Sequence, residues 1–119
     1  MKEFLILGNT REIYHIDSAD IWYIKAEGDY SDIFLTNSQK IRVTMQIGNV
    51  KKAIDKHLPH YHNDFQRIGQ SLIINKIYLF SINLTKQQLV LSDKQNVNGK
   101  ILEPKSKDSL KEFKKELEK

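Results

Sequence analysis

No apolar run in this chain exceeds four residues, and the runs are rich in β-branched and aromatic side chains. Runs that short, broken by turn residues such as Gly8-Asn9 and Asp17-Ser18, fit strands joined by turns. They are far too brief for a membrane-spanning helix, which takes about 20 apolar residues. The pattern predicts strands at residues 4–7, 13–16, 21–26, 30–35, 40–45, 65–68, 72–74, 78–82 and 88–91. Residues 40–45 alternate cleanly, with Ile41, Val43 and Met45 on one face and Arg42 and Thr44 on the other. Glu27-Gly28-Asp29 reads as a hairpin connection, because a central Gly takes φ > 0 without steric cost. Further turns are expected at Asp93-Lys94 and Asn98-Gly99.

Two stretches follow a helical period instead. Ile47, Val50, Ile54 and Leu58 form one stripe that ends at Pro59, which predicts a short helix over 47–58. Near the C-terminus, Ser109 and Glu112 have the spacing of a capping box, and Leu110, Phe113 and Leu117 form a narrow stripe. The expectation is a mostly β chain with two short helices, folded as a single domain over 1–119. Bulky apolar residues, among them Phe4, Ile6, Trp22, Ile24 and Ile33, are expected in its core.

Cysteine is absent, which excludes disulfides, thiolate metal ligands and cysteine nucleophiles together. No basic-led apolar leader opens the chain, so it is expected in the cytoplasm, away from membranes. Nineteen Lys and Arg against fifteen Asp and Glu leave a net charge of +4, compatible with a polyanionic partner without requiring one.

His57, His60 and His62, with Asp64 nearby, are of metal-ligating types. Pro59 interrupts the helix between the first two, so the pair cannot share a helical face, and a solvated loop without metal or cofactor is expected. Glu27 and Asp29 flank a glycine as charges do in any exposed turn. Ser71 lacks a nucleophile-elbow context, and no Gly-rich phosphate loop is present. Catalysis is therefore not expected.

Nucleic-acid binding is the more productive reading. Cations gather in loop-like places: Lys25 beside the first hairpin, Arg67 before Gly69-Gln70-Ser71, and Lys105 and Lys107 around Ser106. Each lies near a side chain able to bond a base edge or a phosphate, namely Tyr30, Gln70, Ser71 or Ser106. Taken singly, each lysine is better explained as solvated surface.

Four segments stand in a telling order. They are residues 21–30 (IWYIKAEGDY), residues 41–45 (IRVTM) leading into a helix, residues 65–75 (FQRIGQSLIIN) and residues 104–107 (PKSK) before the last helix. Together, over roughly residues 3–117, they resemble the LytTR-type DNA-binding domain, an output module of bacterial response regulators. The third segment is similar to the family hallmark F-x-R-x-H-R-S-x-x-V-N. The resemblance implies an elongated multi-stranded β arrangement of about ten short strands, with one internal short helix and a C-terminal helix. It also implies loops that enter successive major grooves of double-stranded DNA at promoter repeats, two copies on repeated half-sites, and a receiver domain or sensor as partner.

By position, the contact loops implied are Gly28 with Asp29, Tyr30 and Ser31; Gly69, Gln70 and Ser71; and Lys105, Ser106 and Lys107. Lys25 and Arg67 stand beside them. Gly69-Gln70 replaces the family's His-Arg, and Lys107 stands where the family has Arg, without its planar fork. Those departures also fit an alternative, a protein-interaction module on the same β scaffold. Ser71 is read equally as DNA contact and as loop brace, Asn75 as a brace of local main chain, and Tyr30 chiefly as cross-strand packing.

Overall fold

The alternating apolar residues are satisfied by three antiparallel sheets and two helices in a computed structural model that describes residues 2–92 and 99–119. The turns expected at Asp93-Lys94 and at Asn98 lie outside the described residues. A two-stranded sheet pairs β1 (Phe4–Gly8) with β2 (Ile13–Asp17). The central sheet has five strands, β3 (Ile21–Glu27), β4 (Tyr30–Leu35), β5 (Lys40–Val43), β6 (Phe65–Ile68) and β7 (Leu72–Asn75). Their order is β5-β4-β3-β7-β6. A three-stranded sheet runs β10-β9-β8, from β8 (Leu79–Asn83), β9 (Gln88–Leu91) and β10 (Lys100–Leu102). Helix α1 (Ile47–His57) links β5 to β6, and α2 (Lys107–Leu117) closes the chain.

The central sheet is covered on both faces, which explains why β7 is buried at all four positions. On the first face, Ile24, Ile33 and Ile73 meet Val50 and Ile54 of α1 together with Leu5 and Ile16 of the β1–β2 hairpin. On the second, Tyr23, Leu72 and Ile74 meet Leu89 and Leu91 of β9 and Leu110 and Phe113 of α2. A register shift between Ile21 and Tyr23 sorts the run Ile21-Trp22-Tyr23-Ile24 between these faces. The bulge residue Trp22 joins Tyr23 on the second face, half-buried, with its indole N–H donating to the Ser92 carbonyl at 3.3 Å.

Four expectations change. Ile6 is 45% exposed, whereas Leu5 and Leu7 turn inward, because the run Phe4-Leu5-Ile6-Leu7 has no polar alternation to set its phase. Phe4 lies half-buried on the outer side, stacked on His15 at 4.1 Å. The C-terminal helix begins at Lys107: Ser106 is its N-cap, its hydroxyl accepting from the Ser109 N–H at 3.1 Å, and Ser109 sits inside the helix. Strand β10 was not expected from its short sequence Lys-Ile-Leu, and it exists through pairing with β9. The long dimension of the molecule is 44 Å, against 30 and 26 Å for the others.

Candidate nucleic-acid interface

Antiparallel pairing brings two of the three sequence-predicted loops to one end of the central sheet. β3 runs out toward Glu27 while β7 begins at Leu72, with Lys25 opposite Leu72. The Ala26 N–H donates to the Ser71 carbonyl at 2.9 Å, which ties the β3–β4 hairpin to the β6–β7 turn. The third loop, between β10 and α2, comes alongside because Leu110 and Phe113 dock α2 on the second face. Pro104 is buried within that loop, while Lys105 is exposed.

A cleft of about 500 Å³ runs between these parts, bordered by Lys25, Glu27, Ser71, Lys100, Glu103 and Lys105 among others. A second, more open depression of about 550 Å³ is bordered by Gly69, Gln70, Ser71, Lys105, Ser106 and Ser109. Ser71 and Lys105 border both, so the two adjoin. Lys25, Lys100 and Lys105 make the cleft a place where a polyanion would find cations, interrupted by the carboxylates of Glu27 and Glu103.

Each loop is built differently. The hairpin is a two-residue connection, Gly28-Asp29, between paired Glu27 and Tyr30, tighter than the three-residue link expected. Gly28 takes φ +59°, and a Cβ built on it would meet nothing within 4 Å, so the tip stands free. Gly69 takes φ +66°, but its Cβ would lie 3.2 Å from Ser106 Cβ. The β6–β7 turn is thus packed on the cap of α2, with Gln70 exposed at its crest. At the third loop, the Ser106 hydroxyl contacts the Ser109 hydroxyl at 2.9 Å, and Lys107 is exposed on the first helical turn.

Not every residue taken from the sequence reaches this surface. Ser31 is completely buried, and its hydroxyl donates to the Met45 carbonyl at 2.7 Å, so it braces the hairpin against the entry to α1. Ser106 is engaged in capping. Arg67 pairs with Ile73 and therefore points to the first face, near Gly48 of α1, where its Nε–H donates to the Gly69 carbonyl at 3.1 Å. It supports the turn from behind. Asn75 is buried and donates to the carbonyl of Ile21 at 2.9 Å, a brace between β7 and β3. Lys25, Asp29, Gln70, Lys105 and Lys107 are exposed, and Tyr30 is 43% exposed.

Two further cations were missed. Lys100 enters the cleft only because β10 exists. Arg42 is drawn in by pairing: Lys25, Asp32 and Arg42 stand in cross-strand register on the second face. The buried Asp32 carboxylate accepts from Arg42 Nε–H at 2.8 Å and Nη2–H at 3.0 Å. The guanidinium lies over the Tyr30 ring, 5.3 Å from its centroid. These two hydrogen bonds hold the Asp32 carboxyl below the ordinary carboxylate range against the opposing effect of burial, and the fields of Lys40 and Lys25 assist.

The histidines go separate ways. His57 Nδ1 accepts from the Ile6 N–H, His60 contacts Glu3 at 2.7 Å, and His62 faces Asp55 at 3.4 Å.

A family model for the LytTr DNA-binding domain matches residues 11–118. The chain belongs to that family. Among solved structures, the fold is similar to the LytTr DNA-binding domain of a protein from Bacillus cereus described as a methyl-accepting/DNA response regulator. That match has a TM-score of 0.67 and 19% identity, and covers 98% of each chain. Comparison with curated proteins gives no match. Within the LytTr family, ten strands among the described residues, one internal helix and one C-terminal helix agree with the architecture that the sequence resemblance implies.

Proposed function

We propose that this LytTr domain binds double-stranded DNA in a sequence-specific manner and acts as a bacterial transcriptional regulator or the output unit of one. The observation that supports this best is the adjacency of the three loops around one cation-bordered cleft at one end of the sheet. In this reading Lys25, Lys100, Lys105 and Lys107 neutralise phosphates, a sequence-independent contribution that weakens with salt through counterion release. Selectivity falls to Gln70, Lys107 and the Asp29-Tyr30 tip. A glutamine amide matches the adenine edge in the major groove, whereas Lys107 offers a point charge without an arginine's fork. The hairpin tip and the Gln70 turn, tied together at Ala26 and Ser71, enter one major groove, and successive grooves are reached by the two copies. Residues 1–119 act as one unit, two copies occupy repeated half-sites, and a receiver or sensor supplies the signal.

Selection of bound sequences from a random duplex pool tests the reading directly. A recurring motif, with affinity falling steeply between low and moderate salt, is the expected result; no enrichment, or a salt-independent affinity, would overturn it. On the selected duplex, Gln70→Ala should lose about tenfold or more at one base position, while Lys105→Ala should weaken all sequences alike. A protein partner on the same surface is the second reading, favoured by Ile101, which borders the cleft at 57% exposure beside the carboxylates of Glu27 and Glu103. It predicts co-purification of that partner, lost in Ile101→Asp, alongside no DNA protection.

A further inference from the structure

Arg42 has a geometry that none of the loop residues shares. Its guanidinium is fixed on three sides: two N–H groups to the buried Asp32 carboxylate, and one face to the Tyr30 ring. Its side chain is nevertheless half exposed. The bonds to Asp32 use the Nε–Nη2 edge, which leaves the Nη1–Nη2 end of the fork without a bond among the described residues. An ordinary surface arginine loses side-chain freedom when it binds; one already pinned loses far less. Cross-strand register sets this fork on the same sheet face as Lys25, two strands further from the cleft. Asp32 lies two residues behind Tyr30, so the fork sits about 7 Å back from the hairpin's end. A group set back from a tip that enters a groove meets the wall of that groove, which is sugar and phosphate.

We propose that Arg42 is a further DNA contact, its free fork end clamping a backbone phosphate beside the groove entered by the hairpin, with Asp32 and Tyr30 as its positioning residues. The inference rests on the DNA-binding reading above. It widens the footprint from the three loops to the face of β5, where Lys40 is the next exposed cation. A phosphate carries two oxygens that a planar fork engages together. A contact of that kind orients the domain and carries no base preference.

The test uses the selected duplex and a second duplex of scrambled sequence. The double variant Asp32→Asn/Arg42→Gln keeps the net charge of the pair and offers a neutral hydrogen bond in its place, so the sheet edge stays paired; thermal melting checks that it folds. It is expected to lose about tenfold in affinity on both duplexes, because one charge-assisted phosphate contact is gone. Arg42→Lys should fall between this variant and the parent chain. A folded double variant that binds both duplexes within about twofold of the parent overturns the proposal. A loss confined to one base pair of the selected duplex also overturns it, since that would mean a guanine edge and not a phosphate. If the parent chain binds neither duplex, the DNA-binding reading fails and this contact fails with it, an outcome distinct from both others.

Discussion

At the β3–β4 hairpin, Ser31 is tied to the Met45 carbonyl and Arg42 is held by Asp32 and Tyr30, while a Cβ at Gly28 would meet open space. At the β6–β7 turn the situation is reversed. There the backbone is pressed onto the cap of α2 at Gly69, while Gln70 extends into solvent. One loop presents side chains with fixed positions on a free tip; the other presents a free side chain on a fixed backbone. The hairpin should therefore tolerate changes in its turn and be sensitive to changes in its side-chain network. The turn should show the opposite.

The most severe way to break this contrast is to undock α2. Phe113 is fully enclosed in the second-face core, and Phe113→Ala should cost about 4 kcal/mol in chemical denaturation. Amide exchange should then quicken at the Gly69–Ser71 turn and stay unchanged at the hairpin tip. Equal acceleration at both would show that α2 does not set the turn. The paired glycines sharpen the point. Gly69→Ala adds crowding against Ser106 to left-handed strain and should cost about 2 kcal/mol. Gly28→Ala adds strain alone and should cost about 1 kcal/mol. Equal losses in thermal melts would remove the significance of the close approach.

The smallest effect concerns acid. Because Arg42 lowers the folded-state pKa of Asp32, the stabilisation this carboxylate provides is fully present above its unfolded value of about 4. As pH falls through the lower folded value, the unfolded chain has taken up a proton that the folded chain resists, and that stabilisation disappears. Arg42→Gln should flatten this acid-side slope in denaturant titrations. Parallel pH profiles for the variant and the parent would show that the pair contributes nothing.

Much of this architecture was legible in the sequence, because turn residues and two-residue alternation act locally. The hairpin at Gly28, the short helix after β5 and the ends of β6 and β7 all follow from neighbours within a few positions. What escaped depends on distant contacts or on local ambiguity. Ser31 was expected in the contact loop and Asp32 follows it in the predicted strand, yet both are buried by partners 14 and 10 residues away. Ser109 has the capping-box partner Glu112 that Ser106 lacks, so local pattern pointed three residues past the true cap. Lys100 joins the cleft through a strand that pairing creates. Arg42 was visible as an outward residue of an alternating strand, but its tether to Asp32 depended on the register of two strands.

The position of Arg42 has one more consequence. β5 is an outer strand of the central sheet, so one side of its backbone is open to recruitment by a strand from another molecule. Lys40 and Arg42 put charge along that rim, and Arg67 does the same on β6 at the opposite rim. Charge at the two borders works against the edge-to-edge merging of sheets from neighbouring copies.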